Sequence, residues 1–144
     1  MNFDAMMQLI YRYMAMRAPT NGMRVAFYRK AGVEIGKNVF IGANVFLDVT
    51  WGHITIKDNV YINAFAKILA HSYIPNHPPK KDVGKVVIEQ NVFIGLAAII
   101  LDGVTIGKNS SVGAGAIVLK NVPNNVMVAG NPATIKKIYD DAHE

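Results

Sequence analysis

A strict six-residue period runs through most of this chain and constrains its fold more than any other feature. Large aliphatic residues recur at every sixth position in two short series and one long series. They are Ile35, Ile41 and Leu47, then Ile56, Ile62 and Ile68, then Ile88, Ile94, Ile100, Ile106, Val112 and Val118. Twelve units in phase would hardly arise by chance, so the period indicates one repeated structural unit.

The period indicates short strands rather than helices. Six residues match neither the 3.6-residue turn of a helix nor the simple alternation of a hairpin. Small or β-branched residues follow four positions later, at Val39, Val45, Val60, Ala66, Val92, Ala98, Val104, Ser110, Ala116 and Val122. Strands joined by tight corners, three to a coil, would stack as a parallel β-helix. The asparagines at 38, 59, 91 and 109 suit corners with a left-handed backbone.

Two interruptions break this period. The shorter lies at "DVTWGHI", between Leu47 and Ile56, and the longer separates Ile68 from Ile88. A solenoid accommodates inserted residues as loops that leave a corner, and such loops commonly carry function. The longer interruption predicts an extruded loop at about residues 72–84, directly after His71.

The two ends of the chain depart from the repeat. Within an N-terminal segment, residues 1–30, apolar residues at helical spacing predict an amphipathic helix that closes the core or contacts another subunit. This stretch is too short and too charged for stable membrane insertion, and it lacks the features of a signal peptide. The β-helix is expected over residues 31–133, and residues 134–144 are expected to form a short capping helix.

Composition narrows the classes of function. The 144 residues include no cysteine, which excludes disulfides, thiolate metal sites and a cysteine nucleophile, and fits a reducing, cytoplasmic location. The net charge of +5 is not gathered in one basic run, and aromatic residues are not interleaved with it. This pattern disfavours nucleic acid as a partner and suits a small polyanionic ligand.

His71 directly precedes the long loop, where a histidine can act in catalysis or simply mark the end of a strand. An imidazole titrates near neutral pH and can act as a general base. His53 and His77 are not expected to join it in a metal site, since no further histidine appears on the later coils. We therefore predict no metal.

The chain resembles the hexapeptide-repeat acyltransferases over about residues 31–138. The most specific part is "VFIGLAAIILDGVTIGKNSSVGAGAIVLKNVPNNVMVAGNPATIKKI". The likeness is nearest to the galactoside, maltose and xenobiotic acetyltransferases and to short polysaccharide O-acetyltransferases. The resemblance implies a left-handed helix, a homotrimer with active sites between subunits, and acetyl-CoA lying along the β-helix face.

The resemblance also implies roles for individual residues. His71 matches the catalytic histidine, and Asn44, Asp48 and Asn63 stand where relatives bind the acceptor; Asp48 could instead orient His71 or be a simple corner carboxylate. The implied CoA-binding positions are Phe93, Leu96, Ala114, Asn131, Pro132, Lys136 and Lys137. Lys137 is expected to meet the 3′-phosphate of CoA, and only the main chain is expected to act at Leu96 and Ala114. Phe93 replaces the usual tryptophan, and Leu96 replaces a small polar residue.

The expected function is acetyl transfer from acetyl-CoA to a saccharide hydroxyl, by direct attack with His71 as general base. An amino sugar or another small amine is the alternative acceptor. A different class also stays open: a β-helix without transferase activity, such as a metal-dependent hydratase relative or a scaffold subunit.

Overall fold

The structure, a computed structural model, describes residues 2–50, 52–71 and 84–140. Two helices come first, α1 (Phe3–Arg17) and α2 (Asn21–Lys30). The strands that follow are β1 (Glu34–Ile35), β2 (Phe40–Ile41), β3 (Phe46–Leu47), β4 (His53–Ile56), β5 (Tyr61–Ile62), β6 (Lys67–Ile68), β7 (Lys85–Ile88), β8 (Phe93–Ile94), β9 (Ile99–Ile100), β10 (Thr105–Ile106), β11 (Ser111–Val112), β12 (Ile117–Val118), β13 (Val126–Ala129) and β14 (Thr134–Ile138).

The strands form the three faces of a parallel β-helix, which confirms the predicted fold class. Sheet A has the order β1-β4-β7-β10, sheet B the order β2-β5-β8-β11-β13-β14, and sheet C the order β3-β6-β9-β12. Each strand up to β12 pairs in parallel with the strand three places along the chain. One turn of the chain around the axis therefore contributes one strand to every sheet.

The core is the stack of aliphatic residues that the period predicted. All twelve are the last residue of a strand, from β1 to β12. Ile35 is partly buried, and the other eleven are at most 2% exposed. Burying side chains of this size stabilises the fold by about 1.5–3 kcal/mol each.

The corners that join the sheets are named here by the sheets they connect. The AB corner comprises residues 36–39, 57–60, 89–92, 107–110 and 123–125. The BC corner comprises residues 42–45, 63–66, 95–98 and 113–116. The CA corner includes residues 48–50, 52, 101–104 and 119–121, together with the described residues that follow β6 and precede β7, up to His71 and from Gly84. The loop predicted at about residues 72–84 falls almost wholly on residues 72–83, His77 among them, which are outside the described residues.

The N-terminal end of the β-helix is closed by side chains of α2. Asn21 accepts a hydrogen bond from the amide of Ile41 at 2.8 Å, and the buried Arg24 donates to the carbonyl of Ile41 at 2.6 Å. Tyr28 donates its hydroxyl to the carbonyl of Val45, and burial raises the pKa of its phenol. These bonds satisfy backbone groups of the first coil that have no coil above them. The predicted helix is present as α1, and it packs against α2.

The C-terminal end corrects one expectation. The segment predicted as a capping helix instead forms β14, which pairs antiparallel with β13 at the edge of sheet B. The connection through Gly130, Asn131 and Pro132 reverses the chain and brings it alongside β13. The unpaired edge of β13 has backbone N–H and C=O groups that a neighbouring strand can bond and a helix cannot. The β-branched residues Thr134 and Ile135 also favour a strand.

Among the described residues, the helices are too short and too polar to cross a membrane.

Candidate active site

His71 and Asp48 form a hydrogen-bonded pair at the CA corner. The imidazole Nδ1 of His71 contacts carboxylate Oδ2 of Asp48. The two side chains differ sharply in exposure, at 47% for His71 and 2% for Asp48. The imidazole of His71 is therefore exposed to solvent, whereas the carboxylate that it contacts is buried.

Strand pairing brings these two residues together across 23 positions of sequence. Leu47 of β3 pairs with Ile68 of β6, and Asp48 and His71 follow these strands on adjacent coils. The carboxylate of Asp48 also accepts hydrogen bonds from the amide of Ala70 at 3.3 Å and that of Thr50 at 3.4 Å. Three donors thus hold the buried carboxyl group in place, and these hydrogen bonds offset part of the cost of burying it.

This contact determines what His71 can do chemically. An ionised carboxylate only accepts hydrogen bonds, so the proton of a neutral imidazole lies on Nδ1. Nε2 then carries the free lone pair, and no hydrogen bond to another described part of the chain occupies it. The arrangement is that of a general base oriented by a carboxylate.

A second histidine–carboxylate pair lies on sheet A. His53 Nε2 contacts Glu34 Oε1 at 2.8 Å, and both side chains are more than half exposed. The hydrogen bond from His53, with a second from Thr55, lowers the pKa of Glu34. Both residues lie on strands of a flat sheet rather than at a corner, which makes this pair a useful comparison for His71.

Four of the predicted ligand-binding residues lie together at the BC corner. The corner positions read Gly42-Ala43-Asn44, Asn63-Ala64-Phe65, Gly95-Leu96-Ala97 and Gly113-Ala114-Gly115 on successive coils. Asn44 and Asn63 are on the first two coils, and Leu96 and Ala114 are on the last two. The predicted acceptor and CoA positions are therefore neighbours along one edge of the helix.

The last two coils of this corner are tightly stacked. A Cβ added at Gly95 would lie 2.5 Å from the amide nitrogen of Ala114. This close approach requires glycine at position 95, so no side chain stands between the two coils at that point. The main-chain role expected at Leu96 and Ala114 is compatible with this geometry.

Phe65 is an unpredicted feature of the BC corner. It occupies the left-handed backbone region with φ of 63°, and its side chain is 55% exposed. The equivalent positions hold Asn44, Ala97 and Gly115, which are smaller residues. A left-handed conformation costs an ordinary side chain about 1–2 kcal/mol. Alignment of the four corners could have revealed Phe65 from the sequence, because it alone is bulky there.

Phe93 lies on the outer face of sheet B. Its ring stacks on Tyr61 with centroids 5.7 Å apart, and Tyr61 stacks on Phe40 at 4.3 Å. Phe93 is 44% exposed, so an apolar face is available for contact.

The remaining predicted CoA residues lie on the C-terminal hairpin. Asn131 and Pro132 are exposed in the turn before β14, and Lys136 and Lys137 are exposed on that strand. The Lys137 ammonium lies 5.6 Å from the ring centroid of Tyr139. Both cations are therefore accessible to an anionic ligand.

The structure brings some predicted residues together and leaves others apart. Within one chain, His71 and Asp48 share the CA corner, whereas Asn44, Asn63, Leu96 and Ala114 share the BC corner. Sheet C separates these corners. Over the ranges that the structure describes, no three histidine, aspartate or glutamate side chains are grouped to hold a metal ion.

These observations define a left-handed parallel β-helix protein of hexapeptide repeats, with a carboxylate-oriented histidine at one corner. A family profile described as "Hexapeptide repeat of succinyl-transferase" matches residues 32–64 and 85–120. The galactoside O-acetyltransferase of Lactococcus lactis is 34% identical over 131 residues, covering 81% of this chain and 59% of that protein. A Bacillus subtilis protein named as an acetyltransferase, YvoF, is 35% identical, covering 88% of this chain and 73% of that protein.

The same likeness holds for a solved structure. A hexapeptide-repeat-containing acetyltransferase from Vibrio cholerae has a TM-score of 0.77 at 25% identity, covering 93% of this chain and 89% of that one. The chain belongs to the hexapeptide-repeat acetyltransferase family, and galactoside and maltose O-acetyltransferases are among the proteins that it is similar to. It spans 59% of the length of the Lactococcus relative.

Proposed function

We propose that this protein transfers an acetyl group from acetyl-CoA to a hydroxyl of a saccharide. The observation that carries the proposal is the pair of His71 and Asp48, which leaves one imidazole nitrogen free beside an accessible corner. Family membership supports the reaction class, and the galactoside specificity named for the Lactococcus relative supports the class of acceptor.

His71 serves as the general base in this proposal. Its Nε2 receives the proton of the acceptor hydroxyl as that oxygen becomes a nucleophile. The imidazolium formed is stabilised by the carboxylate of Asp48, which also prevents the ring from rotating. The acceptor oxygen bonds to the thioester carbon of acetyl-CoA, the C–S bond breaks, and the imidazolium of His71 donates its proton to the departing thiolate of CoA. In this proposal the transfer is direct, without an acyl-enzyme intermediate, and the absence of cysteine removes one residue that could form such an intermediate.

The residues present fit acetyl-CoA, which when bound supplies an activated acetyl group. The main chain at Leu96 and Ala114 is assigned to the pantetheine arm, and the half-exposed side chain of Leu96 adds an apolar surface beside it. Phe93 offers an apolar face. Asn131 and Pro132 form the turn, and Lys136 and Lys137 supply cations for the phosphates.

A homotrimer completes the site in this proposal. The BC corner that would hold donor and acceptor lies across sheet C from the His71 of its own chain. Six residues separate Phe65 from His71, a span of up to about 20 Å. A neighbouring copy that places its CA corner against this BC corner would bring the base to the acceptor. We place the assembly in the cytoplasm, in keeping with the absence of cysteine.

An amine acceptor is the second candidate. An amine attacks as its neutral form and loses a proton as the new C–N bond forms, and a histidine base can accept that proton, so the pair of His71 and Asp48 suits both reactions. Amino sugars therefore belong in the acceptor panel.

The test is a thiol-release assay with acetyl-CoA over simple galactosides, maltose, amino sugars and small amines. We expect turnover with a saccharide, and a loss of about 10²–10⁴-fold in kcat for His71→Ala. His53→Ala is the matched control, because it removes a histidine that also contacts a carboxylate from the preceding coil. Equal losses in both variants, or wild-type activity in His71→Ala, would refute the assignment of the base. Absence of turnover with every acceptor would refute the enzyme proposal.

A further inference from the structure

The second coil departs twice from the pattern of the BC corner. Where the other coils begin this corner with glycine at positions 42, 95 and 113, the second coil has Asn63. Where the others hold asparagine, alanine or glycine in the left-handed conformation, it has Phe65. This is also the coil whose next corner carries His71. Both departures add side-chain atoms at an accessible edge.

Packing within the subunit does not account for Phe65. The side chain is 55% exposed, so little of its apolar surface is removed from water. Asparagine or glycine would adopt its φ of 63° with less strain and would preserve the turn. A strained residue that gains little from its own fold indicates a function outside that fold.

The polar groups around Phe65 are also available. Asn44 lies one coil above, where the carbonyl of Ala43 accepts a hydrogen bond from the amide of Phe65 at 3.1 Å. No hydrogen bond joins the side-chain amide of Asn44 or Asn63 to the rest of the described chain. An exposed aromatic ring between two free amides has both parts that sugar recognition needs. The ring covers the apolar C–H face of a pyranose, and amides bond to its hydroxyls.

The position relative to the donor is suitable. Leu96 lies one coil below Phe65 at the same corner, and adjacent coils are about 4.8 Å apart. A sugar against Phe65 would therefore lie next to the backbone assigned to the pantetheine arm. Acceptor and donor would occupy neighbouring coils, as direct transfer between them requires.

We propose that Phe65, flanked by Asn44 and Asn63, is the platform on which the pyranose ring of the acceptor stacks. The inference rests on the proposed saccharide acetyltransferase function and specifies how that site selects its acceptor. Phe65 is then a specificity-determining residue, and the ring of the acceptor lies flat against it.

The experiment compares Phe65→Leu, Phe65→Asn and Phe65→Tyr with the wild type, using methyl β-galactoside and maltose as acceptors. Leucine keeps apolar bulk without a planar face, asparagine relieves the strain, and tyrosine keeps the platform. We expect an increase of about tenfold in acceptor KM for the leucine and asparagine variants. Acetyl-CoA KM should be unchanged in all three, and tyrosine should preserve the acceptor KM. Phe65→Asn should melt no lower than the wild type.

Phe40→Leu is the matched control, since it removes an aromatic ring from the stack on sheet B, away from the BC corner. Phe65 could instead contact a neighbouring subunit, and light scattering tests this alternative by measuring the size of the assembly that each variant forms. A smaller assembly in Phe65→Asn would overturn the proposal, as would a raised acetyl-CoA KM or an unchanged acceptor KM in Phe65→Leu. If the wild type turns over neither sugar, titration of both into the CoA-bound protein separates the outcomes. Binding that weakens in Phe65→Leu supports the platform, and no binding refutes platform and proposed acceptor together.

Discussion

The AB corner and the two corners that flank sheet C meet the same backbone requirement in different ways. At the AB corner the left-handed positions are Asn38, Asn59, Asn91, Asn109 and Asn125, here called the asparagine ladder. Each side-chain amide donates to the next, at distances of 3.2, 3.1, 2.9 and 2.9 Å down the ladder. At the BC corner the left-handed positions instead change from coil to coil, and at the CA corner the chain leaves the repeat.

This difference separates structural residues from candidate functional ones. Asparagine adopts a left-handed backbone at little cost, and a ladder uses up its hydrogen-bonding groups within the protein. The side chains of the asparagine ladder therefore act within the fold. The BC and CA corners instead keep an exposed aromatic ring, and the amides of Asn44 and Asn63 and Nε2 of His71 have no hydrogen-bond partner among the described residues.

The largest effect that would test this contrast is expected for Asp48→Asn at the CA corner. An amide can donate to His71 Nδ1 and would then stabilise the tautomer with the proton on Nε2, the wrong nitrogen for a base. We expect kcat to fall by about 10²–10⁴-fold, with the KM for acetyl-CoA unchanged. Steady-state kinetics with both substrates varied provides the measurement. An increase in KM alone would instead favour a direct role for Asp48 in acceptor binding.

Asn91→Ala, in the middle of the asparagine ladder, should show the opposite behaviour. It removes two ladder hydrogen bonds and puts alanine at a φ of 59°. We expect unfolding free energy to fall by about 2 kcal/mol, with kcat and both KM values within twofold of the wild type. Urea denaturation measures the first quantity. Asn91→Gly, which tolerates the left-handed backbone, should lose less, and a large loss of activity in either variant would break the distinction between the corners.

The smallest effect is expected for Glu34→Gln, which tests the exposed pair on sheet A. Because the pKa of Glu34 is lower in the folded state than its ordinary 4.5, its contribution to stability is present above pH 4.5 and disappears as pH falls through the lowered value. The wild type should thus lose slightly more melting temperature than the variant between pH 5 and acid conditions, about pH 3. Melting curves at stepped pH, at low salt, measure the difference. Identical slopes would show that the exposed pair contributes nothing.

Much of the fold was predictable because the spacing of the repeat specifies which residue of each strand faces the core. A residue that recurs every six positions must face the axis on every strand, so the core and the strand ends follow from spacing alone. Asparagine at a fixed offset identified the AB corner for a similar reason. The C-terminal segment was not predictable in this way, since its strand exists only because β13 presents an unpaired edge.

The sequence by itself determined the coil and its core and singled out His71 as a candidate, because these depend on periodicity and on where it breaks. Only the tertiary structure shows that Asp48 contacts His71. The insertion at "DVTWGHI" obscures the register, and pairing of β3 with β6 is what places that carboxylate against the imidazole. It also decided that Phe65 stands exposed in a left-handed corner between free amides. Contacts between coils depend on the register of the paired strands and on backbone conformation, and the spacing of the repeat specifies neither.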